Sequence, residues 1–332
     1  MQVDQVKRRD FITLLGGAAA AAWPLAARAQ QAAKVYRIGY LGMASHAGYA
    51  REIEALLRGL RQLGYEEGKN IALYYQFAEG DYDRLPALAS ELVTVKVDVI
   101  VTHSTPGARA AKQATSTIPI VVTAAADLVS TGLVPSIARP AGNLTGLTFF
   151  FAEICAKRVE LIKEAVPGVM RLGVLVNPYN PSGAIALTAM ERVAGSLRME
   201  LLPMNVRAPE DFVGAFTMLV SRGAQALTFI EDGVLNPNAR YIAQLAMQNR
   251  LPMIGESSVP EAGALMAYAV DRYDLWFRAA FLVDKILKGA QPADLPIDQA
   301  AKFDLVINLK TARAFGLEMP TSILLRATQV IE

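Results

Sequence analysis

The sequence predicts an α/β protein built as two doubly wound parallel-sheet lobes joined by a three-segment hinge, and three observations carry that prediction. Short apolar runs alternate with segments of helical length along nearly the whole chain, the pattern of strands buried on both faces under covering helices. The order of elements recurs: Gly39 and Gly173, and Pro119 and Pro252, hold matching places at almost the same offset, as two copies of one module would. Between the copies, the stretch from Thr117 to Phe151 begins as a buried strand and breaks at Arg139-Pro140-Ala141-Gly142-Asn143. It then leads away as a second extended piece. A chain that finishes one open sheet and builds another keeps a cleft between them.

In order, Val35 to Leu41 reads as a strand, Tyr49 to Leu63 as an amphipathic helix stopped by Gly64, Asn70 to Phe77 as a strand and Tyr82 to Val95 as a helix. Val97 to Thr102 is a continuous apolar strand. Pro106 to Thr115 is a helix with proline in its first turn, and Ile118 to Thr123 is the next strand. The second half repeats this grammar: strand 171–176, helix 182–198, strand 199–206, helix 209–222, strand 226–230, helix 238–249 and strand 252–254. Ala264 to Val270 is extended and runs into a helix, Asp274 to Lys288, ended by Gly289; Phe303 to Ile307 is a last strand. These late elements read as two further crossings. They predict an N-terminal lobe of residues 30–147 with 271–298 and a C-terminal lobe of residues 148–270 with 299–332.

Residues 1–29 stand apart from the fold. Arg8-Arg9-Asp10-Phe11-Ile12 is a basic start with paired arginines, followed by an Ala/Gly-rich apolar run and Ala27-Arg28-Ala29, an A-x-A cleavage signal. Pro24 and Arg28 interrupt the run, so it reads as a twin-arginine-type export signal cut after about Ala29, with no membrane anchor left afterwards. The leader holds two more bases than acids and the whole chain carries +2, so the remainder is neutral and the basic pI is no argument for nucleic acid. The composition, 53% hydrophobic and 19% charged, is that of a well-cored globular protein. A single cysteine, Cys155, sits in a helical context and reads as a small buried side chain. Export without a lipid-bearing cysteine at the cut predicts a periplasmic location.

Ligands of open α/β sheets bind beyond the carboxyl ends of the strands. Small polar residues and acids collect there: Ser45, Ser104, Thr105 and Asp127 in the first half, Asn180, Ser182, Asp232 and Glu256 in the second, with Tyr268 and Asp271 at the second crossing. Ser104-Thr105 ahead of Pro106 joins two hydroxyls to a positive helix end, which suits a carboxylate; plain N-capping is the alternative. The four acids are candidates for a ligand ammonium group, and Tyr179, Tyr268 and Phe149 for stacking on a planar ligand. His46 and His103 follow first-half strands and read as polar lining or a pH-sensitive contact; no third ligand at metal spacing accompanies them. Gly64-Tyr65-Glu66-Glu67-Gly68-Lys69-Asn70 echoes a phosphate loop but is one residue short between its glycines, and no nucleophile elbow is present. Neither an enzyme's machinery nor a cofactor or metal site is predicted.

Several blocks carry a resemblance. Arg8 to Ala18, Ser130-Thr131-Gly132-Leu133-Val134 with Ala138-Arg139-Pro140 and Gly142 to Gly146, Lys163 to Gly168, Val283 to Ala290, and Phe303 to Ala312 are similar to the ABC-transporter substrate-binding proteins of the tryptophan-binding-like group. That resemblance implies the type I periplasmic binding protein fold and a receptor that closes like a flytrap on a small carboxylate-bearing solute, amino-acid or aromatic. It also implies an ABC permease as partner; no nucleic-acid partner is expected, on the neutral charge balance and the export signal. A sensor that presents its solute to a receptor kinase, or an exported enzyme, are the rival readings. Departures from the family pattern fall at the cleft: Leu128 stands where a proline follows the acid, Ala269-Val270 replace Gly-Pro, and Ala124-Ala125-Ala126 is plainer than usual. They concern the ligand, not the fold.

Overall fold

A computed structural model describes residues 34–332 except Asp127 and Ala301; the predicted export signal lies outside the described residues. Strands β1 (Tyr36–Gly42), β2 (Ile71–Phe77), β3 (Val99–Thr102), β4 (Ile120–Ala125), β5 (Leu144–Thr148) and β11 (Asp298–Gln299) form one sheet in the order β11-β5-β4-β3-β1-β2, with every pairing parallel. Helices α1 (Ala50–Gln62), α2 (Leu85–Val95) and α3 (Ser104–Ala114) cover its two faces together with α8 (Arg272–Leu287).

The second lobe repeats that order. Strands β6 (Arg171–Val176), β7 (Glu200–Asn205) and β8 (Ala226–Phe229) run β7-β6-β8, and a bridge from Leu227 to Met253 joins them to β9 (Ile254–Gly255) and β10 (Met266–Val270). Helices α4 (Phe151–Ala165), α5 (Pro181–Ser196), α6 (Asp211–Ser221) and α7 (Ala239–Gln248) cover this sheet. Strands β12 (Phe303–Asn308) and β13 (Gln329–Ile331) extend it, flanked by the short helices α9 (Leu309–Ala314) and α10 (Thr321–Leu324). This sheet departs from the wholly parallel expectation, because β12 is antiparallel to β10. The reason is topological: β10 ends at the hinge and β12 starts from it, so they run in opposite senses.

Each sheet has an apolar cluster on both faces, which is what makes the lobes doubly wound. The chain crosses between lobes after β5, after β10 and after β11. The three crossings are tied side by side. Ala300 N–H donates to the Thr148 carbonyl at 2.9 Å, and Val270 faces Phe303 in the β10–β12 pairing. Phe149 and Tyr268 pack against the cores of both lobes.

One helix pair places the part of the first lobe that matters most for the cleft. Helix α1 buries Ile53, Leu56, Gly59 and Leu60, one stripe at helical spacing, against Leu275, Trp276, Ala279, Ala280 and Val283 of α8. Gly59 sets the separation: a Cβ there would stand 2.6 Å from the Phe277 carbonyl oxygen and 2.7 Å from the Ala280 methyl. Gly59→Ala should therefore destabilise by ~1–3 kcal/mol through overpacking. Gly195→Ala, on the exposed face of α5 with nothing within 4 Å of the new methyl, should stabilise by ~0.4–1 kcal/mol. Urea midpoints of the two variants check the contrast.

Candidate ligand-binding cleft

The carboxyl ends of both sheets face each other across the gap. Between them lies a buried chamber of about 60 Å³. The first lobe contributes His103, Ser104 and Thr105 from the β3–α3 turn and Ala124 to Ala126 from the end of β4. A register shift between Val122 and Ala125 turns that strand end. The second lobe contributes Asn180, Ser182, Glu231, Asp232 and Asn236, and the hinge contributes Phe149. Tyr49, Glu52, Arg272 and Trp276 close the remaining side. A cavity of about 40 Å³ abuts it, sharing Phe149, Glu231, Asn236 and Arg272 and reaching Glu256 and Ser257. A wider groove of about 710 Å³, open to solvent, runs outside between Ser45, Tyr82 and their neighbours on one lobe and Tyr179, Arg207 and Val234 on the other. The buried polar groups converge on the inner chamber, so that is the candidate site.

Two helix N-termini meet there. Helix α3 starts two residues earlier than predicted, because extended His103 takes the N-cap place and Ser104 adopts a left-handed φ of 61°. That conformation is uncommon for a residue with a Cβ and is the kind of strain found at ligand sites. Helix α5 is capped by Asn180, whose side chain accepts from Ser182 N–H at 3.1 Å. Across the lobes the Thr105 and Ser182 hydroxyls are 2.7 Å apart. Both positive helix ends thus converge on one pair of hydroxyls.

The acids divide by role. Asp232 is buried and accepts from Val234 N–H at 2.9 Å, Leu235 N–H at 2.7 Å and, from the first lobe, the Tyr82 hydroxyl at 3.2 Å. Tyr82 oxygen in turn accepts from Gly233 N–H at 2.8 Å. Burial lifts the Asp232 carboxyl above its usual range despite these donors. Glu256 is bound by Ser257, Ser258 N–H and the Ser258 hydroxyl, and lies 3.9 Å from Arg272 of the first lobe. Arg272 also donates to Glu52 at 2.8 Å; burial works against its charge, but Glu256 and Glu52 outweigh that.

Glu231 is held in a two-pronged pair by Arg158, a fully buried residue of α4. Arg158 Nε also donates to the Tyr268 carbonyl at 2.8 Å. Among the described residues, Glu52, Glu231 and Glu256 lie against two guanidinium groups, Arg158 and Arg272, and Asp232 adds a fourth carboxylate on the chamber wall, an excess of negative charge that favours a cationic group on a ligand.

Of the predicted site residues, Ser104, Thr105, Asn180, Ser182 and Asp232 come together in the chamber and Glu256 borders the adjoining cavity. Three do not. Ser45 lies on the outer groove, its hydroxyl accepting from Gly48 N–H at 3.1 Å. Tyr268 turns away from the cleft, stacking on Phe303 beside a separate outer groove. Asp271 is exposed and caps α8 through Asp274 N–H, so the residue that enters the cleft is the next one, Arg272. Asp127 lies outside the described residues. Of the aromatic candidates, Phe149 reaches the chamber while Tyr179 is 61% exposed on the outer groove.

The histidines do not pair. His46 stays on the surface, edge-on to Tyr75 and Phe77. His103 is buried polar lining, and burial lowers its pKa to about 3 with help from Arg272, so it is no sensor near neutral pH. Cys155 is buried, as its helical context suggested.

The residues that sequence reasoning passed over left a signal. Glu52 falls on the apolar stripe of α1 with Leu56 and Gly59, and Arg158 falls on that of α4 with Ile154, Cys155 and Ile162. A charge on a stripe that must be buried needs a partner or a ligand.

A family model described as ABC transporter substrate binding protein matches residues 37–331. The chain is 27% identical to the tyrosine-binding protein of Clostridioides difficile (strain R20291) over 286 residues, 86% of this chain and 82% of the relative. Its structure is similar to that of an ABC domain from Streptococcus pneumoniae in complex with L-Trp, with TM-score 0.82 at 25% identity over 90% of this chain and 100% of that one. It is also similar to the ligand-free, open structure of a substrate-binding protein with adhesive properties from Clostridium difficile, with TM-score 0.62 at 26% identity over 90% of this chain and 99% of that one.

Breaking the Arg158–Glu231 pair from one side should cost about 3–5 kcal/mol. Arg158→Met will therefore unfold at much lower urea, and adding Glu231→Leu should recover most of the loss by removing the stranded charge. Asp232→Asn keeps an acceptor for the turn amides but cannot titrate. Because the folded-state pKa of Asp232 is raised, the folded protein binds the extra proton, so wild type should gain stability relative to this variant as pH falls through that pKa. Denaturant titrations between pH 4 and pH 7 check the sign.

Proposed function

The chain belongs to the family of ABC transporter substrate-binding proteins, and from that premise we propose that it closes its two lobes on an α-amino acid with an aromatic side chain. The single observation that carries this reading is the meeting of the α3 and α5 N-termini across the cleft, with the Thr105 and Ser182 hydroxyls 2.7 Å apart. A carboxylate that replaces this bond and bridges the two hydroxyls, each donating its one O–H to it, takes charge-assisted hydrogen bonds from both lobes at once and so favours the closed form over the open one. The acid-rich wall of Glu231 and Asp232 suits the ammonium group, and Phe149, Tyr49 and Trp276 suit a planar side chain. The relatives support the class of solute, one being a tyrosine-binding protein and one having been seen with L-Trp.

The lobe built on β1–β5, α8 and β11 moves as one body and the lobe built on β6–β10, β12 and β13 as the other, about the three crossings. Two further observations favour a closed arrangement here. Tyr82 bridges to Asp232 and Gly233 across the mouth, and superposition is better on the L-Trp complex than on the open relative at nearly equal identity. The paired arginines and Ala27-Arg28-Ala29 support export to the periplasm with cleavage after about Ala29. No helix of the described residues is long and apolar enough to cross a membrane. The closed form is then what a membrane permease reads when the solute is handed over.

Isothermal titration calorimetry of the purified exported protein with L-tyrosine, L-tryptophan, L-phenylalanine, L-lysine, L-glutamate and a sugar tests the reading. Saturable binding is expected for at least one aromatic amino acid, accompanied by a smaller radius of gyration in X-ray scattering. Thr105→Ala with Ser182→Ala should weaken it by ~10-fold or more, the worth of a hydrogen bond to a charged group. No binding of any aromatic amino acid would refute the proposal.

A further inference from the structure

We infer that His103 contacts the solute directly, its imidazole Nε2–H donating a hydrogen bond to an oxygen acceptor of the bound molecule. This deepens the closure reading above and rests on it. His103 is 5% exposed, lines the chamber, and its Nε2 has no partner among the described residues. A buried polar atom left unpaired costs stability, so its place on a ligand chamber wall calls for a reason.

The other ring nitrogen says which tautomer is present. Nδ1 lies 3.0 Å from the Tyr40 hydroxyl, and Tyr40 is 2% exposed with no other partner for that hydroxyl among the described residues. A buried phenol gives its hydrogen to the acceptor within reach, so Nδ1 accepts and Nε2 carries the proton. Burial and the neighbouring Arg272 keep the ring neutral.

The ring cannot turn elsewhere for a partner. Its centroid is 4.2 Å from that of Tyr49 and 5.3 Å from that of Trp276, and Tyr40 stacks beside it. A donor clamped on three sides is pre-organised, which is how a site gains selectivity for a solute that brings the matching acceptor. The nearby Arg272 guanidinium favours an electron-rich oxygen in the same corner.

The second lobe supplies the complement. Asn236 Oδ1 is buried without a partner among the described residues, and Asn236 lines both the chamber and the adjoining cavity. One lobe therefore offers an unmet donor and the other an unmet acceptor, and a solute that satisfies both spans the gap. An amino acid has the required groups: an oxygen for His103, from its carboxylate or from a ring hydroxyl, and an N–H or O–H for Asn236.

Calorimetry of wild type, His103→Leu and His103→Gln with L-tyrosine and L-phenylalanine tests this, beside melting temperatures of the free proteins. His103→Leu should bind at least 10-fold more weakly while melting within a few degrees of wild type, and His103→Gln, which keeps an N–H, should recover part of the loss. A loss confined to L-tyrosine identifies the acceptor as the ring hydroxyl, and an equal loss for both identifies the carboxylate. If wild type binds and His103→Leu binds equally well, the His103 assignment is wrong and the closure reading stands. If wild type binds neither probe nor any aromatic amino acid, both fall. Nitrogen-15 spectra of the imidazole give a check independent of folding defects: an Nδ1–H tautomer in the free protein overturns the assignment.

Discussion

A guanidinium with no access to water has to be satisfied entirely by protein, and the way Arg158 is satisfied ties the cleft to the hinge. Its Nε donates to the Tyr268 carbonyl on the strand that leads into the second crossing, Nη1 reaches toward the Phe229 carbonyl at the end of β8, and both terminal nitrogens hold Glu231. Desolvating that charge is expensive, and only good geometry with further hydrogen bonds compensates. The cleft acid beside it is therefore not free to swing. Its position is set by a helix in the core of the lobe, so the cleft wall there is fixed to that core.

The first lobe has a counterpart in Arg272. Helix α8 begins as the chain returns across the hinge, and the close α1–α8 packing allowed by Gly59 puts Arg272 between Glu52 of its own lobe and Glu256 of the other. The same packing places Trp276 against His103 and Tyr49. Buried charge in each lobe is thus paired first within that lobe, and what reaches across is softer: the Thr105–Ser182 hydroxyls, the Tyr82–Asp232 bond and the longer Arg272–Glu256 approach. Each of these three contacts is weaker than a buried charge pair broken from one side.

Much of the cleft was legible because strand ends are legible. Ser104, Thr105, Ser182 and Asp232 follow apolar runs that end in small or polar residues, and topology alone brings such ends together at the gap. Ser45, Tyr268 and Asp271 satisfied the same rule yet lie elsewhere. A strand end names a neighbourhood, but one step along the chain turns a side chain to the opposite side: Asp271 caps its helix and Arg272 takes the inward place. Arg158 and Glu52 were passed over because they sit inside helices, where a charge reads as solvent-facing until the buried stripe it belongs to is traced.

The repeat in the order of elements, the periodicity of the apolar runs and the three crossings were determined by sequence alone, because burial on both faces of a parallel sheet dictates which residue types each strand and helix can carry. The tertiary structure alone decided the antiparallel entry of β12, the pairing of Arg158 with Glu231, and the polar atoms of His103 and Asn236, two residues lining one chamber, that have no partner among the described residues. Those depend on angles and distances between elements far apart in the chain, and periodicity along one element carries no information about the direction its neighbour's side chains take.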